Sequence, residues 1–215
     1  ATIWWQPERG APRVMSGDRD AFPATVFEQV HSSLGDRIRA WALDRLGSLA
    51  GVHAWDLYSG IGETTAELAA RGATVESVEL DRRAVELAAR RLDDSATRRL
   101  GGLAESQRPE RTAIERHVGK VEEMIGKLRA PHVVIANPPR AGMDPRVIHV
   151  LLERRPSRIV YVSCDSSTLA RDLGRLCGTL TQPVASPPRL VDSSPSYHIT
   201  AVQPFDLFPE TAHVE

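Results

Sequence analysis

Residues 52–81, VHAWDLYSGIGETTAELAARGATVESVELD, read as strand, glycine turn, helix, strand, and that order leaves few folds open. Val52 to Tyr58 is a short apolar run with a strand-like mix of Val, Trp, Leu and Tyr. Ser59-Gly60-Ile61-Gly62 is a turn that only small residues make tightly. Thr64 to Arg71 is rich in helix formers, and Gly72 stands where a C-terminal cap belongs. Thr74 to Leu80 predicts a second strand that runs into acid at Glu79 and Asp81. A unit of this kind holds a nucleotide-like ligand where its first strand gives way to the helix.

The residues narrow that ligand. A dinucleotide fingerprint wants three spaced glycines and a phosphate on the helix N-terminus. Here Thr65 replaces the third glycine, and Glu63 puts negative charge where a pyrophosphate would sit. A ligand with a ribose and a cationic centre fits better. Glu79 follows Gly62 by 17 residues, near the spacing at which an acid meets ribose hydroxyls. The pattern D-x-x-x-G-x-G from Asp56 to Gly62, with an acid ending the next strand, resembles the S-adenosylmethionine site of class I methyltransferases. A generic α/β crossover with a glycine turn would carry the same letters.

At 215 residues and 41% hydrophobic, the chain can bury one good core. The net charge of −1 gives no global signal for nucleic acid. The basic residues are skewed, however: only Lys120 and Lys127 are lysines, the rest arginines. Arginine suits bidentate phosphate contacts, though a habit of the source genome produces the same bias. Two cysteines make neither a disulfide framework nor a metal cage unaided, so no metal is expected. No apolar run reaches membrane-spanning length and the N-terminus has no signal-peptide pattern, which predicts a cytoplasmic protein with no membrane partner; a monomer is expected.

Along the chain, Thr2 to Gln6 is strand-like and opens abruptly, as if cut from a longer protein, and a Pro/Gly/Arg-rich stretch follows. Residues 1–26 read as an N-terminal extension, the remnant of a central domain, and 27–215 as the main domain. His31 to Leu46 predicts a helix with Leu34, Ile38, Ala42 and Leu46 on one face. Arg82 to Leu92 predicts another, with Val85, Ala89 and Leu92 toward the sheet, and 93–111 a polar insertion. Ala113–Val118 and Pro131–Ala136 are the third and fourth strands, with a short helix over Val121–Leu128 between them. The fourth strand ends in Asn137-Pro138-Pro139-Arg140-Ala141-Gly142, a loop stiffened by two prolines at the edge where α/β sheets gather function. Asp144-Pro145 caps a helix through Val147, Ile148, Leu151 and Leu152. Arg158–Val162 is the fifth strand, Ser166 caps a helix from Ser167 to Leu176, and Ile199–Val202 is a sixth strand. The fold class is therefore α/β, a doubly wound and mostly parallel sheet.

Cys177 lies on the stripe of Leu169, Leu173 and Leu176 and reads as a small core thiol. Cys164 sits at a strand end just before a helix N-terminus, whose positive end favours thiolate. A thiolate beside a methyl-donor pocket suits a target too poor a nucleophile to take a methyl unaided. Uracil carbon-5 is one: thiolate adds to carbon-6, the enolate carbon attacks the methyl, a base removes the carbon-5 proton, and the thiolate leaves.

DLYSGIG, NPPRAGM, IVYVSCDSSTLARDL and FDLFPETAHVE, in that order, resemble the RNA 5-methyluridine (uracil-C5) methyltransferases, which modify tRNA or 23S ribosomal RNA using S-adenosylmethionine. The resemblance runs from about Phe27 onward, and the opening Trp4-Trp5-Gln6 resembles the tail of that family's central domain. It implies a class I Rossmann-like fold, S-adenosylmethionine as methyl donor and RNA as partner. It further implies that Cys164 is the nucleophile and Glu215 the base. Gln29, Tyr58, Gly60, Gly62, Glu63, Glu79 and Asn137 fall on donor-binding positions, and Asn137 and Arg140 on the substrate side. The VSC…TLARDL phrasing leans toward 23S ribosomal RNA over tRNA.

The chain departs from that pattern in places. The family usually has Asn at the position of Glu63 and Asp at that of Asn137. Asp165-Ser166 follows Cys164 where the family has Asn-Pro. The family's N-terminal RNA-binding barrel, and the cluster-binding cysteines of some members, are not in this sequence. Two other readings stand beside this one. Asn-Pro-Pro also occurs in amino-group methyltransferases, although those want an aromatic residue where this chain has Arg140. A catalytically silent RNA-binding domain would bind RNA and transfer nothing.

Overall fold

The structure is a computed structural model and describes residues 3–5, 13–16, 32–90, 113–179 and 197–206. Five strands form one parallel sheet: β3 (His53–Leu57), β4 (Thr74–Glu79), β5 (Ile114–Val118), β6 (Val133–Ala136) and β7 (Arg158–Tyr161), in the order β5-β4-β3-β6-β7. Every adjacent pair is parallel. A hairpin of β1 (Ile3–Trp5) and β2 (Arg13–Ser16) precedes it. The sequence predicted the first of these strands but not the second, which lies in the Pro/Gly/Arg-rich stretch.

The helices are α1 (Ser32–Arg45), α2 (Glu63–Ala70), α3 (82–90), α4 (Val121–Met124) with a 3-10 turn at Ile125–Lys127, α5 (Pro145–Arg154) and α6 (Ser166–Leu176). They cover both faces of the sheet, which is why β3 and β6 are buried along their whole length. Side chains alternate between the two faces. Trp55, Leu57, Val134 and Ala136 pack with Val121, Ile125, Ile148 and Leu151 of α4, its following turn and α5. Ala54, Val133 and Ile135 pack with Leu43 of α1, Leu46 just past it and Leu68 of α2. The chain leaves the central β3 first toward β4 and β5, then returns to β6 and β7, so the order of winding reverses beside β3. The crevice beyond the strand ends at that reversal is where an α/β sheet binds its ligand.

Four expectations need correction. Residues 199–202 form no strand: Ile199 and Val202 are both exposed, so no buried face holds them in register. The face of α3 turned inward carries Ala84 and Ala88, while Val85 and Ala89 are half-buried. The reason is close approach, since a Cβ on Gly62 would lie 2.6 Å from that of Ala88, too near for a larger residue. The cap of α6 is Asp165, which accepts from Thr168 N at 2.8 Å, so Ser166 is the first helical residue. Cys177 is the half-buried C-cap of α6, not a fully buried core residue. Leu92 and the insertion at 93–111 lie outside the described residues.

Candidate active site

The turn from β3 into α2 is built by backbone that few side chains tolerate. Tyr58 has φ 62, Gly60 φ 52 and Gly62 φ 76. The turn is tied to β4 at two points. Ser59 N donates to Val78 O at 3.1 Å, and Gly60 N donates to Glu79 Oε2 at 2.8 Å. The other oxygen of Glu79 accepts from Asp81 N at 2.9 Å. Glu79 therefore holds the turn in place while remaining half-exposed at the strand end. A Cβ on Gly60 would meet nothing within 4 Å, so the turn is open on that side.

Beneath the turn lies Asp56, 3% exposed, with Thr65 Oγ1 donating to its Oδ2 at 2.5 Å. Burial pushes the Asp56 carboxyl up to about 7; the Thr65 hydroxyl opposes that, and the nearby Glu79 charge adds to it. Burial likewise pushes the Tyr58 phenol well above its ordinary value, helped by the charges of Glu122, Asp144 and Asp172. Glu63, first residue of α2, accepts from Arg39 Nη1 at 2.8 Å. Arg39 Nε donates to Glu67 at 3.0 Å and Nη2 to Asp36 at 2.7 Å.

One strand along, Asn137 N donates to Leu57 O at 3.2 Å, which carries sheet pairing past the end of β6 and leaves the Asn137 side chain exposed. Pro138 is buried, and Gly142 N donates to Pro139 O at 2.8 Å, closing the loop that presents the exposed Arg140. Next to it, Val162 N donates to Ala136 O at 2.9 Å and leads into Ser163-Cys164-Asp165. Ser163 Oγ bridges this turn, donating to Asp165 O at 2.9 Å and accepting from Asp165 N at 3.2 Å. Cys164 is a half-buried free thiol at the start of α6. The Asp165 carboxyl lies below its ordinary value, held there by the Thr168 amide first and also by the charge of Arg140.

The sheet order brings Tyr58, Gly60, Gly62, Glu63, Glu79, Asn137, Arg140 and Cys164 to one end, at the carboxyl ends of β4, β3, β6 and β7. Gln29 and Glu215 lie outside the described residues. Sequence reasoning had Asp56 as the first residue of the glycine-turn pattern but without its burial, and missed Arg39 and Asp172. Asp172 is an acid inside the apolar stripe of Leu169, Leu173 and Leu176, and that break in the pattern was its signal. Among the described residues, Glu76, Glu115 and His117 each offer a donor atom within 4.8 Å of the others. Oε2 of Glu76 accepts from Arg129 N at 3.0 Å and pairs with His53 Nε2 at 2.8 Å, while its Oε1 lies 3.4 Å from His117 Nε2. No helix among the described residues is long and apolar enough to cross a membrane.

Comparison with known proteins bears on the family and the fold. The family model described as tRNA (Uracil-5-)-methyltransferase matches residues 19–215. A protein of Nitratidesulfovibrio vulgaris named "Uncharacterized RNA methyltransferase" is 37% identical over 174 residues, 80% of this chain and 32% of its own. An RNA methyltransferase of Thermosynechococcus vestitus is 31% identical over 202 residues, 94% of this chain and 38% of its own. The chain thus spans about a third of the length of these relatives. Among solved structures, the Pyrococcus abyssi tRNA (uracil-54, C5)-methyltransferase in complex with S-adenosyl-L-homocysteine superposes with a TM-score of 0.64 at 25% identity, covering 99% of this chain and 42% of that one. A precorrin-6y C5,15-methyltransferase of Geobacter metallireducens, at 15% identity and a TM-score of 0.54 over 73% of this chain and 74% of that one, shares the fold.

Proposed function

The chain belongs to the tRNA (uracil-5-)-methyltransferase family, and from that premise we propose that it methylates carbon-5 of a uridine in RNA, with S-adenosylmethionine as donor and Cys164 as nucleophile. The observation that carries the reading is the order β4-β3-β6-β7, which sets the Glu79-anchored glycine turn and the Cys164 loop at one end of the sheet with the Arg140 loop between them. The turn fits this donor: it is open at Gly60, has a carboxylate beside it for ribose hydroxyls, and carries an acid at the helix start where a phosphate would be repelled.

When bound, S-adenosylmethionine supplies an electrophilic methyl group. The chain's own residues do the rest. Tyr58, Gly60, Gly62, Glu63, Glu79 and Asn137, together with Gln29, hold the donor. Arg140 and Asn137 meet the uridine and its backbone, as an arginine on a stiff loop suits phosphate or base contact. Cys164, just ahead of α6, adds to carbon-6 through its sulfur and makes carbon-5 nucleophilic. Carbon-5 takes the methyl, the donor sulfur leaving as a neutral thioether, and Glu215 then takes the carbon-5 proton so that the thiolate leaves. The TLARDL phrasing supports 23S ribosomal RNA; the solved Pyrococcus abyssi relative, a tRNA enzyme, supports tRNA as the second reading.

RNA carrying 5-fluorouridine at the target tests the chemistry, because fluorine does not leave as a proton and elimination stalls. In the presence of donor a covalent complex should accumulate and map to Cys164. Mapping to Cys177, or no adduct with a proven substrate RNA, overturns the assignment. Activity that survives Cys164→Ala would favour an amino-group methyltransferase instead. Mapping 5-methyluridine in 23S ribosomal RNA and tRNA from cells with and without the protein decides the RNA.

A further inference from the structure

Asp172 is 0% exposed, yet it sits on α6 where an apolar residue would continue the stripe of Leu169, Leu173 and Leu176. Such a charge is weak support for stability as such, and its partners say what it is for. Its Oδ2 accepts from Met143 N at 2.8 Å and from Tyr161 Oη at 3.0 Å. Its Oδ1 accepts from Arg171 Nε at 2.9 Å and lies 3.6 Å from Arg175 Nη1. Arg171 then reaches with Nη2 to Ala141 O at 2.8 Å. One carboxylate thus gathers three elements: the end of the 137–143 loop, the last residue of β7, and the helix that begins just after Cys164.

Gly142 supports the same conclusion. It has φ +78, and a Cβ there would run into Asp172 Oδ2 and Arg171 Nη2, so the loop passes as close to the carboxylate as backbone permits. Residues on either side of the clamp have roles in the proposed reaction. Arg140 directly precedes Ala141, and Tyr161 stands three residues before Cys164.

We propose that Asp172 is a positioning residue that fixes the Arg140–Met143 end of the loop against the loop bearing Cys164, so that the nucleophile and the Arg140 side chain keep one spacing, while Asn137 is held separately by its own amide bond to Leu57 O. The proposal rests on the uracil-C5 reading above. Asp172 does not anchor the backbone of the donor turn, which Glu79 holds, and its charge reaches Tyr58 there only as the last of three acids, after Glu122 and Asp144.

The test compares wild type with Asp172→Asn in the native protein, using in-vitro transcripts of 23S ribosomal RNA and of tRNA. Asparagine keeps the shape but replaces one acceptor with a donor that faces Arg171 or Met143 N. The expected result has three parts. Amide exchange over 139–143 speeds up about tenfold or more while that over 58–80 stays unchanged. The dissociation constant for S-adenosylmethionine stays within about twofold, and kcat for methyl transfer falls about tenfold or more. Unchanged kcat, unchanged loop exchange, or a loss of donor affinity in step with kcat would each overturn the proposal, the last by marking Asp172 as merely structural. If Asp172→Asn does not fold, Tyr161→Phe and Arg171→Met each remove one arm, and kcat unchanged in both overturns the proposal equally. A wild type inactive on both transcripts overturns the uracil reading instead, and loop exchange alone then decides whether the clamp exists.

Discussion

Arg39 of α1 donates Nη1 to Glu63 of α2 at 2.8 Å, at the first turn of the helix that faces the proposed donor site. The guanidinium also reaches Glu67 and Asp36, so one mostly buried cation serves three carboxylates. Arg39 thereby offsets the negative charge that Glu63 places at the start of α2. Arg39→Gln should therefore destabilise the domain by on the order of 1 kcal/mol, the top of the range for partly exposed pairs. It should also weaken donor binding, since Glu63 loses a cation that offsets its charge beside the proposed donor site. Denaturation midpoints and calorimetric titration at low and high salt check this, and the difference should shrink as salt screens the charges.

Glu79 holds Gly60 N and Asp81 N at once. Glu79→Ala should weaken S-adenosylmethionine binding by about 1–3 kcal/mol, through the lost ribose contact and a loosened turn. Glu79→Gln should lose less, because its amide oxygen can still accept from Gly60. Calorimetry on both variants separates the two contributions, and unchanged binding by Glu79→Ala removes this residue from the site.

Asp56 predicts a pH dependence of stability. Its carboxyl keeps its proton in the fold up to about 7, whereas an unfolded chain sheds it from about pH 4. Between those values the fold binds more protons than the unfolded chain, so this group's contribution to stability falls as pH rises and levels off above about pH 7. Relative to Asp56→Asn, which lacks the titration, wild type should lose stability on the order of a few kcal/mol between about pH 4 and pH 8. Urea midpoints across that range, compared for the two proteins, measure the slope, and parallel curves would contradict it.

Gly62 and Ala88 meet so closely that Gly62→Ala should destabilise by about 1–3 kcal/mol, from overpacking and from a left-handed φ of 76. Ala88→Gly in the same chain should recover only the overpacking share. Thermal melts of the single and double variants read the difference.

The strands and the site differ in how much of them the sequence reveals. Val133–Ala136 and His53–Leu57 are central parallel strands, and such strands announce themselves as unbroken apolar runs. The inward face of α3 was hidden because Ala84 and Ala88 are less conspicuous than Val85, although close approach to Gly62 demands the small residues. Residues 199–202 carry β-branched residues without the buried face that turns propensity into a strand. In the site, the glycine turn, Glu79 and Cys164 are legible because spacing and strand ends mark them. Arg39 is not, since it reaches Glu63 across 24 residues, and Asp172 shows locally only as an acid breaking an apolar stripe, its partners Met143 and Tyr161 lying on other elements.

The central strand carries a consequence for how the molecule is assembled. Toward β4, β3 makes contacts such as His53 with Glu76, 23 residues away; toward β6 its contacts include His53 with His132, 79 residues away. Closing the longer loop costs more chain entropy before any contact repays it, and non-local pairing slows folding. The half that would hold the methyl donor therefore has the shorter path to its native contacts, and the half carrying Asn137, Arg140 and Cys164 docks onto an edge already formed.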